Sequence, residues 1–202
     1  MSEQCAALHS LCNRMTRYHF DNWKTAPANG VYIFFEEGEH AHGGDRIVRI
    51  GTHETQDRLP GRLSMHFSAG LDMSGSSFRQ DICRALLQKQ YGPVGVEKWE
   101  AGEFDYGRET AIISEVTEYI RKKMSFVVFE ITDARRDMES KLISTVSSCE
   151  ECKPSAVWLG RFSPKKDIAE SGLWQVEGLY KPLTNEDLSV LERSGLIMSS
   201  GQ

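Results

Sequence analysis

Arg62 and His66 are the first pair of residues whose types and spacing suggest chemistry. They lie four positions apart in the stretch RLSMH, so on a helix both side chains project from one face. A guanidinium and an imidazole on one face can bind a phosphate together, the first through its planar fork and the second as a donor or proton carrier. The alternative interpretation is a solvated helix face.

Glu139 is the carboxylate whose position most needs explanation. It lies three residues before Leu142 and four before Ile143, at the edge of an apolar helical stripe. A carboxylate held against a sheet is costly unless a cation or hydrogen-bond donors meet it. One protein carboxylate with waters and a substrate phosphate is a common Mg²⁺ arrangement. A boundary residue whose carboxylate reaches solvent is the equally open alternative.

Tyr32 and Arg49 lie in two short segments with strand composition, GVYIFF at residues 30–35 and RIVRIG at residues 46–51. A tyrosine in a strand is by default a core aromatic whose hydroxyl lies at the surface of the sheet. The arginine is expected to face an open groove and not the core, where an unpaired cation is costly.

The spacing of the cysteines and the absence of several well-known motifs argue against other kinds of chemistry. Cys149 and Cys152 form a single Cys-x-x-Cys pair, and no second pair follows at the spacing of a four-ligand zinc site. His40 and His42 would reach this pair only through tertiary folding, so metal binding here is the minor interpretation. The sequence contains no P-loop, His-Glu-x-x-His or Gly-x-Ser-x-Gly motif, which argues against P-loop NTPases, zincins and α/β-hydrolases.

Hydrophobic periodicity and turn residues divide the chain into the elements that must position these side chains. The interval between the first two strands is expected to be a mobile exposed loop. The predicted strands are 30–35, 46–51 and 125–131. The predicted helices are 5–19, 59–67, 78–90, 108–122, one that follows a cap at Thr132 or Asp133, and 184–195, with residues 91–107 irregular.

Composition indicates one globular domain of 202 residues. No apolar run approaches the roughly 20 residues that span a bilayer, and the N-terminus lacks the pattern of a secretory leader. With five cysteines, an odd number, we predict a reduced, cytoplasmic protein. The net charge of -5 does not favour nucleic acid, but residues 45–90 carry seven Arg or Lys against five acids, which permits a local basic groove.

In their order, these segments resemble the GIY-YIG nuclease superfamily, over roughly residues 28–165. Gly30–Tyr32 matches the first strand motif and Arg49–Gly51 occupies the second. Arg62–His66 matches the helical Arg-x-x-x-His pair, and Glu139 matches the metal-binding glutamate. The stretches RIVRIGTH, RLSMH, GSSFR, WLGRFSP and SGLW resemble a bacterial subgroup without an assigned function.

The resemblance implies an α+β fold, with a small, mainly antiparallel three-stranded sheet flanked by helices. Residues 28–165 would form the core of a single domain, with an N-terminal helix in 1–27 and a C-terminal extension in 166–202. The sequence departs from the family pattern at two places. Arg49 replaces the tyrosine of the second motif, and the downstream asparagine has no clear match, Ser155 being the nearest candidate.

The activity that the resemblance implies is metal-dependent phosphodiester hydrolysis in nucleic acid, with DNA favoured as substrate. Glu139 would hold one Mg²⁺ or Mn²⁺, Tyr32 aided by His66 would orient or deprotonate the attacking water, and Arg62 with Arg49 would stabilise phosphoryl charge. Further expected substrate contacts are Arg58, Arg79, Ser155 and Arg161.

Two other functions remain open at this point. One is a nucleic-acid-binding module on the same scaffold that does not cleave, which the two departures favour. The other is a protein–protein adaptor, which the acidic balance and the segments around Trp99, Trp158 and Trp174 favour.

Overall fold

The apolar run from Val31 to Phe35 lies in the central strand of a three-stranded antiparallel sheet with the order β2-β1-β3. The computed structural model describes residues 2–179. Helices flank the sheet, so the α+β class and the antiparallel three-stranded sheet are confirmed. The helices are α1 (Ser2–Arg14), α2 (Leu59–Phe67), α3 (Ser77–Glu100), α4 (Tyr106–Lys123), α5 (Arg135–Ser147) and α6 (Lys166–Ser171), and the strands are β1 (Val31–Ala41), β2 (Gly44–Gly51) and β3 (Met124–Phe129).

The two faces of the sheet bury two separate apolar cores, because successive strand side chains point to opposite faces. Tyr32 and Phe34 face the core that α2, α3 and α4 complete. Ile33 and Phe35 face the core that α1 and α5 complete. Three short 3₁₀ helices, Trp23–Thr25, Glu150–Cys152 and Leu159–Phe162, lie in the connections. None of the helices in the described part of the chain is both long and apolar enough to cross a membrane.

The prediction of a mobile loop between the first two strands is wrong. Strand β1 continues to Ala41 and β2 begins at Gly44, so only His42 and Gly43 form the turn. Both have positive φ angles, 52° and 75°, which is the pattern of a two-residue type I′ turn.

Three helix boundaries also differ from the prediction. Helix α1 ends at Arg14, before the predicted boundary at residue 19. Helix α3 continues to Glu100 through the segment predicted to be irregular, with a kink at Gly92, because Pro93 can begin a new helical turn. The residue before α5 is Ala134, and neither predicted residue caps the helix. The helix predicted at residues 184–195 lies outside the described residues.

Glu36 is a buried carboxylate of β1 that connects the segment 154–175 to the sheet. Its Oε2 accepts hydrogen bonds from the indole nitrogens of Trp158 at 3.0 Å and Trp174 at 2.9 Å, and Tyr119 donates to the other oxygen. Burial raises the pKa of Glu36, and these hydrogen bonds oppose the shift. Both tryptophans are buried, so they do not supply an exposed docking surface of the kind an adaptor would use.

Glu39 makes a second buried connection between β1 and the same segment. Its carboxylate pairs with Arg46 at 2.6 Å and accepts a hydrogen bond from the backbone nitrogen of Ser155 at 3.0 Å. Arg46 also donates to the carbonyl oxygen of Gly172. Glu36 and Glu39 belong to a polar interval predicted to be a loop. They lie in the strand because residues from other parts of the chain hydrogen-bond to their carboxylates.

We predict that Glu36→Ala lowers the free energy of unfolding by about 3 kcal/mol or more. Two indole N–H groups and a tyrosine hydroxyl would lose their acceptor in the core, at about 1–3 kcal/mol for each buried unsatisfied group. Urea unfolding measures the change. The control is Glu37→Ala on the exposed side of β1, which should change the free energy by less than about 0.5 kcal/mol. Equal midpoints for the two variants would contradict the assignment.

Candidate active site

The two glycines of the strand motifs permit close approach of neighbouring groups. Tyr32 lies opposite Gly51 in the β1–β2 pairing, and a Cβ atom at Gly51 would overlap the hydroxyl and ring of Tyr32. Gly30 has a φ angle of 148°, and a Cβ atom there would overlap the carbonyl oxygen of Phe129 in β3. Both positions therefore require glycine, and the tyrosine ring rests over the end of β2.

A hydrogen-bonded chain runs from Tyr32 to the start of α3. The tyrosine hydroxyl lies 2.9 Å from Nε2 of His66, and Nδ1 of His66 lies 2.8 Å from Oγ of Ser76. Ser76 caps α3 by accepting from the backbone nitrogen of Arg79. Tyr32 and His66 are each only 1% exposed, so the chain fixes β1, α2 and α3 to one another.

His66 is a neutral imidazole at neutral pH. Burial lowers its pKa well below the ordinary value of 6.5, and the charges of Arg49, Arg62 and Arg79 lower it further. A neutral imidazole has one nitrogen free to accept a proton. The Tyr32–His66 pair can therefore move a proton between the hydroxyl and the ring.

Arg49 lies on the Tyr32 face of the sheet because it pairs with Phe34, two positions after the Tyr32–Gly51 pair. Beyond this pair, Phe35 pairs with Ile47, so Val48 is an extra residue and forms a bulge. The bulge leaves Ile47 on the opposite face, where it joins the core on the α1 side. The guanidinium of Arg49 lies 4.9 Å from the centroid of the Phe78 ring.

The guanidinium of Arg49 is held by two partners and is only partly satisfied. It donates to the carbonyl oxygen of Trp174 and, at 3.3 Å, to Oγ of Ser77. Its Nε has no hydrogen-bond partner among the described residues. The prediction of an open groove is right in part, because Arg49 lines a cavity but is only 5% exposed.

Two adjoining cavities of about 400 and 760 Å³ lie at the end of β2 beside α2 and α5, and we call them together the groove; neither Tyr32 nor His66 lines them. Both are lined by Arg62, Glu139 and Glu177. Arg62 donates to the carbonyl oxygen of Gly75 at 2.9 Å through one nitrogen, Nη1. The smaller cavity also contains Arg49, Ser77, Asp81, Lys165 and Gln175, and the larger one contains Thr52, Glu54, Arg58 and Arg136.

Glu139 reaches the groove although its helix packs on the opposite face of the sheet. Met138 and Leu142 of α5 enter the core on the α1 side, and Glu139 lies at the edge of this stripe, half-buried beside the end of β2. Burial raises its pKa, while the charge of Arg49 and the backbone of Thr52 oppose that shift. Among residues 2–179, no lysine or arginine forms an ion pair with this carboxylate.

The four predicted substrate contacts divide into two groups. Arg58 lines the larger cavity, but Arg79, Ser155 and Arg161 line neither. The buried guanidinium of Arg79 donates to the carbonyls of the loop before α3, the hydroxyl of Ser155 donates to Glu39, and Arg161 donates to the backbone of residues 154 and 155. These three side chains hold loops in place and do not line the groove.

Gln175 is a groove residue that sequence reasoning missed. Its Oε1 accepts a hydrogen bond from the backbone nitrogen of Ile50 at 2.8 Å, which leaves its amide NH₂ as a donor. It follows Trp174, whose carbonyl binds Arg49. The stretch SGLW, which ends one residue earlier, was the available signal. Gln175 carries a side-chain amide and lines the groove. It is therefore a better candidate than Ser155 for the position of the downstream asparagine in the family pattern.

A family model for the GIY-YIG domain matches residues 6–199. The chain belongs to the GIY-YIG domain family. A search of curated proteins and a search of solved structures each returned no match. The GIY-YIG match extends well beyond the predicted core of 28–165, and it includes α1 and the segment that supplies Gln175. A GIY-YIG domain indicates nuclease-type function and a nucleic-acid substrate.

We predict that Gly51→Ala lowers the free energy of unfolding by about 1–3 kcal/mol, because its Cβ overpacks the Tyr32 ring. The matched control is Gly61→Ala in α2, where a Cβ meets nothing within 4 Å. It should be neutral or stabilising by up to about 1 kcal/mol. In a Tyr32→Ala background the cost of Gly51→Ala should largely disappear. A cost that survives in that background would show that the tyrosine is not its cause.

We also predict that His66 makes stability fall in mild acid. Its folded pKa lies below the unfolded value of about 6.5, so the unfolded state binds more protons as pH falls through 6.5. The free energy of unfolding then decreases, by at most about 1.4 kcal/mol per pH unit for one group. Urea unfolding between pH 7 and 5 should show a smaller slope for His66→Gln than for the natural protein. His40→Gln, at an exposed position, should keep the original slope.

Proposed function

We propose that this protein is a metal-dependent endonuclease that hydrolyses phosphodiester bonds in nucleic acid, with DNA as the favoured substrate. One observation carries the proposal. Arg49, Arg62 and Glu139 line one groove, and the charges of Arg49 and Arg62 act on His66 of the buried Tyr32–His66 pair. These residues come from four separate elements, so their meeting is not a consequence of sequence proximity.

The charges of the groove support binding of a phosphate. Lys165 is paired with Asp81 at 2.7 Å, and Arg136 with Glu54 at 3.0 Å. Within each pair the two charges neutralise each other, so the positive charge of the groove comes from its other cations. The groove cations without an ion pair among the described residues are Arg49, Arg58 and Arg62.

Arg49 and Arg62 would stabilise the negative charge that develops on the phosphoryl oxygens. Arg49 is held on two sides and still has an unpartnered Nε. Arg62 has donors left after its single bond to Gly75. Positioned donors of this kind are typically worth about 3–4 kcal/mol in the transition state.

Tyr32 would orient the attacking water or take its proton, and His66 would accept the proton from the tyrosine hydroxyl. The contact at 2.9 Å supports this role. The lowered pKa keeps the His66 ring neutral at neutral pH, and it also makes the ring a weaker base. Gln175 would donate from its amide to the substrate or to the water beside Arg49.

Glu139 fits a divalent cation. Its carboxylate is half-buried in a groove open enough for waters and a phosphate, and oxygen ligands suit Mg²⁺ and Mn²⁺. Glu139 would hold one such ion, and Glu177 is the other carboxylate common to both cavities. The ion would supply charge stabilisation at the scissile phosphate.

We predict that Glu139→Gln and Arg62→Ala each reduce cleavage by about 100-fold or more, because each removes a charge that acts on the reacting phosphate. Nicking of supercoiled plasmid with Mn²⁺, compared with EDTA, measures the rate. The matched control is Asp137→Asn, two residues earlier on α5 and exposed, which should retain the full rate. Undiminished metal-dependent nicking by Glu139→Gln would remove this residue from the mechanism.

A binding module that does not cleave is the second candidate, and one observation favours it. The Tyr32 hydroxyl is buried and the residue is 1% exposed, so it lies behind the groove surface. This alternative predicts salt-sensitive binding of nucleic acid with no nicking in Mn²⁺, and binding that Arg62→Ala weakens while Glu139→Gln does not.

A further inference from the structure

A group of sulfur and imidazole side chains lies beside the core between the sheet and helices α1 and α5. Cys5, His9, His42 and Cys152 each place one ligand atom within 4.8 Å of the other three. None of the four lines the groove. The group is therefore separate from the candidate active site.

Three distant parts of the chain supply these four residues. Cys5 and His9 are four apart on α1, so both lie on one helical face. His42 is in the two-residue turn between β1 and β2, and Cys152 ends the short 3₁₀ helix after α5. Cys5, His9 and Cys152 are fully or almost fully buried, which excludes an accidental surface cluster.

The distances fit a tetrahedral metal ion after small side-chain adjustments. A zinc ion with Zn–S bonds of about 2.3 Å separates two sulfurs by about 3.8 Å. Here the sulfurs of Cys5 and Cys152 are 3.3 Å apart, and Nε2 of His9 is 3.8 Å from the sulfur of Cys152. The rings of His9 and His42 have centroids 4.9 Å apart.

Each histidine also has an outer partner of the kind that orients metal ligands. Nδ1 of His42 lies 3.4 Å from a carboxylate oxygen of Glu151. Its Nε2, which lies 3.4 Å from the sulfur of Cys149, is the nitrogen left for a metal ion, and binding would replace that contact. Nδ1 of His9 lies 3.0 Å from the carbonyl oxygen of Cys5. A ligand histidine usually donates its second N–H to such a carboxylate or carbonyl. Nε2 of His9 now accepts from the backbone nitrogen of Ile47 at 3.2 Å, a bond that a metal ion at Nε2 would replace.

We propose that Cys5, His9, His42 and Cys152 bind one zinc ion in a closed structural site. Two thiolates and two neutral imidazoles are a donor set that zinc prefers. Binding releases the protons of the two thiols to solvent. Four protein ligands leave no open position, so the ion would hold α1, the hairpin turn and the segment after α5 together, and it would carry out no chemistry.

The first experiment is metal analysis of protein purified under reducing conditions, followed by titration of the metal-free protein with Co²⁺. We expect about one zinc ion per chain, and thiolate-to-cobalt charge-transfer bands with tetrahedral d–d absorption on titration. Cys5→Ala and Cys152→Ala should lose the ion, whereas Cys12→Ala, another buried cysteine of α1, should keep it. Removal of zinc by a chelator should lower the melting temperature of the natural protein.

His42→Asn tests the site without disturbing the fold. Asparagine accepts the positive φ angle of this turn and favours the type I′ turn before Gly43, so the variant should fold while it lacks a ligand. We expect its zinc content to fall below about 0.1 ion per chain after dialysis. The control His40→Asn, two residues earlier and exposed, should keep a full ion.

Two results would overturn the proposal. One is natural protein that contains no zinc and shows no thiolate–cobalt absorption on titration, which would leave a hydrogen-bonded cluster or a disulfide. The other is undiminished metal content in both His42→Asn and Cys152→Ala. Neither readout uses nuclease activity, so the zinc site can fail while the endonuclease proposal stands, and the reverse.

Discussion

The pairing of Tyr32 with Gly51 is the constraint on which the candidate site depends. Side chains alternate between the two faces of a strand, so a slip of one residue between β1 and β2 would move every groove residue of β2 to the other face. The tyrosine ring fits only over a residue without a Cβ atom, which disfavours such a slip. With this register fixed, Arg49 pairs with Phe34 and lies on the same face of the sheet as Tyr32.

Buried charge on β1 connects this register to the C-terminal segment. Glu36 and Glu39 are costly to bury alone, and they become acceptable only when the two indoles, Arg46 and the backbone near residue 155 meet them. These contacts bring residues 154–175 back along the sheet. The same segment then supplies the carbonyl of Trp174 and the amide of Gln175 to the groove. Satisfaction of two carboxylates in the core thus helps to assemble the site.

The sequence predicted features that depend on local chemistry. The three strand segments and the apolar stripe of α5 are readable because the period of their apolar residues matches the element. The continuation of β1 through Glu36 and Glu39 was not readable, because the hydrogen-bond partners of Glu36 and the backbone of Ser155 that meets Glu39 lie more than 80 positions away. Gln175, Cys5 and His9 were missed for the same reason. Cys5 and His9 meet Cys152 only after α1 packs beside β2.

Glu139 shows why the two faces of the sheet cannot be treated independently. Its helix is positioned by the core on the α1 side, yet its carboxylate lines the groove together with Arg62 of α2, which packs on the other side. The Cys5–Cys152 cluster lies just after the end of α5 and contacts both α1 and the hairpin turn. Any change that loosens this face would therefore move Glu139 relative to Arg62 while leaving the Tyr32–His66 pair intact. The position of the carboxylate depends on packing far from the groove, whereas the position of the tyrosine depends on strand register and on its hydrogen bond to His66.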